Sequence, residues 1–130
     1  MSSDRGTPLR SQGISYLQIP APDPGRSGDF YSSLFGWTLR GDPATHLGFS
    51  DGTSDVIGAF VPELPVAREP GLLPYVFVED VRATIGRSVE LGGEVVVEPY
   101  REPPDSEEYL TVARIRDPAG NVIGVWQMGG

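Results

Sequence analysis

The stretch Asp51-Gly-Thr-Ser-Asp-Val-Ile-Gly-Ala-Phe60 has a counterpart 66 residues later, Asp117-Pro-Ala-Gly-Asn-Val-Ile-Gly-Val-Trp126. In both copies a turn sequence that begins with Asp leads into a short apolar segment, which is typical of a β-strand. A short internal repeat indicates that one unit cannot bury its apolar face alone and needs a second unit. The chain is therefore predicted to contain two similar modules.

The same order of elements surrounds both copies. In the first half we expect a strand over residues 14–20, a helix from Asp23-Pro24 to Gly36, and strands over residues 37–40, 46–50 and 56–61. In the second half we expect a strand over residues 72–78, a helix from Asp80 to Gly92-Gly93, and strands over residues 94–98, 109–116 and 122–128. Each half is thus predicted to be a βαβββ module.

Two such modules side by side form one curved sheet or two facing sheets. The fold class predicted is α+β, with tandem βαβββ modules forming a curved mixed sheet with a cleft and the helices outside. The predicted organisation is a disordered N-terminal tail (residues 1–12), a first module (13–61), a Pro-rich linker (62–71) and a second module (72–130).

Composition excludes several classes of function. The 130 residues carry 18 acids and 10 bases, a net charge of −8, which leaves no electrostatic footprint for nucleic acid or anionic membranes. Absence of Cys excludes thiolate metal sites and disulfides. No apolar run approaches the roughly 20 residues of a membrane span, and the first dozen residues lack the apolar core of a signal peptide. We therefore expect a cytoplasmic protein whose partners are neutral or cationic small molecules.

Alternation along the strands predicts which side chains face the helices and which face outward. The residues expected against helices are Leu17, Ile19, Ile57, Ala59, Val61, Val76, Val78, Ile123 and Val125. On the opposite, open faces, the residues expected to bind a ligand in the cleft are Tyr16, Gln18, Phe60, Tyr75, Phe77 and Trp126. The alternative is that the same aromatic side chains fill an ordinary core.

Three strings carry a resemblance to a known family: Ile14-Ser-Tyr-Leu-Gln-Ile-Pro20, Asp29-Phe-Tyr-Ser-Ser-Leu-Phe-Gly-Trp37 and Asp117-Pro-Ala-Gly-Asn-Val-Ile-Gly-Val-Trp-Gln127. They resemble the glyoxalase, bleomycin-resistance and extradiol-dioxygenase superfamily, also called vicinal oxygen chelate proteins. This fold hosts several chemistries and also proteins that only bind. The resemblance therefore implies the fold without fixing the function.

Metal-dependent members of that family hold a divalent ion through side chains at fixed strand positions. The resemblance places two of these positions at Tyr16 and Gly124, and the internal repeat places the other two at Gly58 and, to within one residue, Leu73. None of them supplies a usual ligand. Gln18 and the single histidine, His46, would make a weak site at best. We therefore expect a metal-free member with no cofactor and no metal-dependent glyoxalase or dioxygenase activity.

The leading hypothesis is a small-molecule binding protein that takes a planar or cationic metabolite or antibiotic, conferring antibiotic resistance by sequestration or carrying a metabolite, and forms a homodimer. One alternative is a metal-independent cyclase, isomerase or hydrolase. Its candidate acid-base groups are Tyr16, His46, Tyr75, Glu98 and Tyr109. A second alternative is a metal-dependent lyase or dioxygenase with different ligands.

Several charged residues have structural alternatives. Asp51 and Asp117 are interpreted as turn residues, and Asp23 and Asp80 as helix caps. The acidic segment 98–108 either guards the cleft or forms a solvated loop. For Arg114 and Arg116 the sequence leaves two roles open, pairing with acids across the sheet or binding a carboxylate.

Overall fold

The computed structural model describes residues 9–130 and divides the chain between Val66 and Ala67, inside the stretch predicted to be a linker. The first module consists of β1 (Tyr16–Pro20), α1 (Pro24–Phe35), β2 (Thr38–Asp42), β3 (His46–Ser50) and β4 (Ile57–Val61). The second consists of β5 (Tyr75–Phe77), α2 (Val81–Glu90), β6 (Glu94–Glu102), β7 (Leu110–Arg116) and β8 (Val122–Met128).

Each module contains one four-stranded mixed sheet with its helix on one face. The strand orders are β1-β4-β3-β2 and β5-β8-β7-β6. In both sheets the first and last strands of the module pair in parallel, and the other pairs are antiparallel. The predicted α+β class, with helices outside the sheets, is confirmed, and the strands form two separate sheets.

The acidic residues at the element ends have the predicted structural roles. The side chains of Asp23 and Asp80 accept hydrogen bonds from the backbone N–H groups three residues later, at 3.2 and 3.0 Å. These bonds satisfy N–H groups that the first helical turn leaves free. The side chains of Asp51 and Asp117 accept backbone N–H groups inside their own turns. Helix α1 ends at Gly36, whose φ of 75° suits a residue without a Cβ.

Two strands of the second module differ in length from the prediction. Strand β5 has only three residues, because Pro74 precedes it and cannot donate a backbone hydrogen bond to the sheet. Strand β6 continues through Glu102, into the segment predicted to be an acidic loop. Its register with β7 shifts between Val97 and Tyr100, so that Pro99 lies in an irregularity of the ladder, where a missing N–H is tolerated.

The predicted tail lies mostly outside the described residues. Of its last four residues, Arg10 donates hydrogen bonds to the backbone oxygens of Ile14 and Asp55, at 2.7 and 3.1 Å. In residues 9–130, neither helix has the length and apolarity needed to cross a membrane.

An aromatic cluster forms the core between α1 and its sheet. Tyr31 of α1 stacks on Trp37 with ring centroids 4.8 Å apart, and Trp37 stacks on Phe49 of β3 at the same distance. Phe60 of β4 lies 5.0 Å from Phe49 and 5.8 Å from Tyr31, and only 2% of it is exposed. Phe60 therefore packs against the helix.

The open face predicted for Phe60 is wrong, and the length of one turn explains the error. In the first module the N–H of Asp51 donates to the carbonyl of Val56, five residues on, whereas that of Asp117 donates to Asn121, four residues on. The first turn is one residue longer, so the sequence repeat and the structural repeat differ by one position along β4. A one-residue slip moves every side chain to the other face.

Strand pairing gives the correct assignment. Phe60 pairs with Ile19, which the sequence correctly predicts to lie under the helix. Ala59 pairs with Gln18 and lies on the open side, in the position that Gly124 has beside Tyr75 in the second module. The structural counterpart of Trp126 in the first module is therefore Val61.

Replacing Phe60 with Ala is expected to lower the free energy of unfolding by about 3–5 kcal/mol, the usual cost of removing a buried phenyl ring. Tyr16→Ala, in the same module but 53% exposed, is the matched control and should change stability by less than about 1 kcal/mol. Urea unfolding of both variants measures the difference. Equal, small losses would place Phe60 on the exposed side after all.

Candidate functional site

The open face of the second module presents two neighbouring rows of side chains. Strand pairing across β5, β8 and β7 aligns Tyr75, Gly124 and Arg114 in the first row. Two residues further along β5, pairing across all four strands aligns the second row, which consists of Phe77, Trp126, Val112 and Tyr100. Paired residues point to the same side of a sheet. These residues therefore form one continuous surface, the aromatic face.

The first row depends on Gly124. A Cβ at this position would collide with the ring of Tyr75, which lies across β8 where a side chain would otherwise stand. With that space free, the phenol oxygen of Tyr75 accepts a hydrogen bond from Nε of Arg114 at 3.0 Å. The hydrogen bond raises the pKa of the Arg114 guanidinium above its ordinary value, and Tyr100 adds to the rise. Arg114 is therefore a fixed positive charge.

The second row supplies the apolar surface. The rings of Phe77 and Trp126 meet edge to face, with centroids 4.9 Å apart and planes at 68°. Phe77 is 54% exposed and Tyr75 37%, whereas Val112 beside Trp126 is buried. The face thus combines exposed rings with a packed aliphatic base.

The predicted site residues of the first module lie on different sides of their sheet. Tyr16 and Gln18 are exposed on the open side, as the alternation predicts, while Phe60 lies in the core on the helix side. Tyr16 borders a cavity of about 270 Å³ together with Arg40 and His46. The structure therefore brings together Tyr75, Phe77 and Trp126 in one module, and Tyr16 and Gln18 in the other.

The acidic segment of the second module surrounds a separate cavity. Glu102, Glu107 and Glu108 line a space of about 560 Å³ with Tyr109 and Met128. The guanidinium of Arg101 lies 3.8 Å from the ring centroid of Tyr109, in cation–π contact. Part of the negative charge is thus carried by strand residues and part by the loop after β6.

Alternation in the sequence does not identify Tyr100 as a site residue and leaves the role of Arg114 open. Tyr100 reaches the aromatic face because β6 shifts register against β7, which periodicity along one strand does not reveal. Arg114 reaches it through its pairing with Gly124 of β8. The usable signal was the glycine at position 124, since a strand glycine often marks a place where another group approaches closely.

The positions that correspond to metal ligands do not fit a metal ion. Gly58 is buried under Phe49 on the helix side, and its open-side neighbours Ile57 and Ala59 carry no donor. The space above Gly124 is filled by Tyr75. Within residues 9–130 no three His, Asp or Glu side chains group in a way that could hold a metal ion.

Comparison with known proteins places these observations in a family. The family model of the Glyoxalase/Bleomycin resistance protein/Dioxygenase superfamily matches residues 13–125. A curated relative from Mycobacterium bovis, named "Putative glyoxylase CFP32", is 30% identical over 95% of this chain. The chain spans 46% of that relative's length, about half.

Solved structures show the same fold. An enzyme of this superfamily from Burkholderia phytofirmans PsJN aligns with a TM-score of 0.70 and 18% identity, over 88% of this chain and 98% of that one. TnmS3 from Streptomyces sp. CB03234, described as an antibiotic binding protein, aligns with a TM-score of 0.62 and 26% identity, over 93% of this chain and 99% of that one.

The donor chemistry predicts that the purified protein holds far less than one divalent ion per chain. Treatment with EDTA should leave the melting temperature unchanged, because a metal that binds only the folded state would stabilise it. Elemental analysis and a thermal melt, each with and without added Zn²⁺, Ni²⁺ or Mn²⁺, measure this. A stoichiometric ion whose removal lowers the melting temperature would contradict the prediction.

Proposed function

The chain belongs to the glyoxalase/bleomycin resistance protein/dioxygenase superfamily, and on this basis we propose that it binds a planar aromatic small molecule without a metal ion. The proposed surface is the aromatic face of the second module. Phe77, Trp126 and Tyr75 form the stacking surface for the guest.

The exposure of Phe77 and Tyr75 beside the half-buried Trp126 is the observation that carries the proposal. Large aromatic side chains gathered on one exposed surface are costly in water and mark a place where a ligand or partner binds. An aromatic contact contributes about 0.5–1.5 kcal/mol beyond the area it buries. Several such contacts on a planar guest give useful affinity without any ion or covalent step.

The comparison with solved structures also supports a binding role. TnmS3, described as an antibiotic binding protein, shares 26% of its residues with this chain over nearly the full length of both. We therefore propose sequestration or carriage of a planar metabolite or antibiotic. Tyr16 and Gln18 of the first module are proposed to contribute further contacts.

The curated relative named as a glyoxylase raises the question of turnover. Within residues 9–130 the side chain of His46 forms no hydrogen bond, so it makes no pair with a nucleophile of the kind that acid-base catalysis requires. Together with the unsuitable ligand positions, this favours binding over catalysis.

The first test uses 2-naphthalenemethanol, a neutral two-ring probe, in isothermal titration calorimetry. Saturable binding is expected, and Trp126→Ala should weaken it about tenfold, or about 1.4 kcal/mol. Tyr109→Leu is the control, because Tyr109 lies in the same module but borders the acidic cavity. Its affinity should match that of the unmodified protein.

The probe should also be recovered unchanged after prolonged incubation. Absence of saturable binding, or equal effects of the Trp126 and Tyr109 variants, would refute the aromatic face as the site. Conversion of methylglyoxal and glutathione on addition of a divalent metal would instead assign the chain to the metal-dependent enzymes.

We propose in addition that the protein is a homodimer, which the exposed sheet face of the second module favours. Native mass spectrometry should show a species of twice the 14.0 kDa chain mass. The same spectrum reports any guest retained through purification. A monomer at all protein concentrations would contradict this proposal.

A further inference from the structure

Arg114 is placed at the centre of the aromatic face. It lies between Gly124 of β8 and Val97 of β6, in the row that Tyr75 completes. One nitrogen, Nε, donates to the phenol of Tyr75, and Tyr100 stabilises the charge from the neighbouring row. The two phenols thus hold the guanidinium among the rings proposed to stack on a guest.

Arg116, on the same strand, has a structural role in which its guanidinium is held by other groups of the module. Arg116 forms an ion pair with Glu94 through Nε at 3.2 Å, and its Nη1 donates to the backbone oxygen of Gly120. Arg114 has no such partner: none of the acids within residues 9–130 forms an ion pair with it. Of the two roles that the sequence left open, pairing with an acid applies to Arg116 alone.

The donor arrangement at Arg114 suits an anion. A guanidinium carries five N–H groups in a planar fork, and the bond to Tyr75 uses only the one on Nε. Tyr100 also takes part in a side-chain hydrogen bond with the guanidinium. The remaining N–H groups on the two terminal nitrogens are left for a ligand. Such a fork matches the two oxygens of a carboxylate, with which it forms paired, charge-assisted hydrogen bonds.

We propose that Arg114 makes the aromatic face selective for a planar guest that carries an anionic oxygen, such as an aromatic carboxylate. The inference rests on the proposed function and names the ligand class for the same site. The row of Phe77 and Trp126 lies two residues, or about 7 Å, from the row of Arg114. A two-ring aromatic acid spans this distance, so its rings contact one row while its carboxylate pairs with the other.

Because the chain is negatively charged overall, a preference for an anionic guest would indicate a local contact with a positive group. A charge of −8 attracts cations and repels anions at long range. Long-range electrostatics would therefore favour the cationic guest that the composition suggests. A preference for the anion requires a local contact, and on this face Arg114 supplies it.

The experiment compares three probes that differ only in the group attached to naphthalene: 2-naphthoate, 2-naphthalenemethanol and the 2-naphthylmethylammonium ion. Isothermal titration calorimetry at low ionic strength should show that 2-naphthoate binds about tenfold more tightly than the alcohol, since a hydrogen bond to a charged group is among the stronger ones. The ammonium probe should bind most weakly.

Variants of the two arginines assign the preference. R114Q is expected to reduce the ratio of naphthoate to alcohol affinity to about one. R114K keeps the charge but loses the fork and the Nε bond to Tyr75, so an intermediate ratio is expected. R116Q removes the same charge from the same strand and should leave the ratio unchanged. Circular dichroism of each variant checks that it is folded.

Each outcome separates this inference from the function on which it rests. Two outcomes would show that the role of Arg114 is wrong while the planar-guest proposal stands. In the first, the alcohol binds and naphthoate binds no more tightly; in the second, R116Q lowers the ratio of naphthoate to alcohol affinity as much as R114Q does. If the ammonium probe binds most tightly, the guest is cationic and the inference is overturned. If no probe binds, both proposals fail together.

Discussion

The parallel pairing between the first and last strands of each module determines which side chains are buried against the helix and which lie on the open face. In the β1–β4 and β5–β8 pairs, each residue lies beside a partner whose side chain points to the same side of the sheet. The register of the pair therefore sets which side chains of both strands face the helix. The antiparallel strands then extend these rows across each sheet. The core of the first module and the aromatic face of the second both follow from this register, because the helix covers one side only.

A difference of one residue in a turn gives the two modules different properties. After the longer turn that begins at Asp51, the aromatic residue of β4 is directed to the helix, where Phe60 joins the stack of Tyr31, Trp37 and Phe49. After the shorter turn at Asp117, Trp126 is directed away from the helix. Its ring then borders Phe77 on the open side. Similar sequences thus produce a buried aromatic core in one module and a candidate binding surface in the other.

The sequence predicts the order of the helices and strands but not the register between the strands. Helix caps, turn residues and strand alternation are local signals, and Asp23, Asp80 and Gly36 act as they predict. The side of the sheet on which Phe60 lies depends on a hydrogen bond in the turn before β4, and the sequence repeat does not show this bond. The meeting of Tyr75 with Arg114 depends on residues 39 positions apart and on the absence of a side chain between them. Such contacts are set by tertiary pairing, which alternation along a single strand does not specify.

Position 124 connects the family relationship to the function proposed for this chain. The resemblance places a metal ligand at this strand position in metal-dependent members, and here the residue is glycine. The space that a ligand side chain would occupy is filled by the ring of Tyr75, which in turn orients Arg114. The same residue that removes a metal donor therefore creates a surface of rings around a fixed cation. Since a fold alone does not determine chemistry, the proposed function rests on this local exchange, which suits recognition of a planar guest rather than Lewis-acid catalysis.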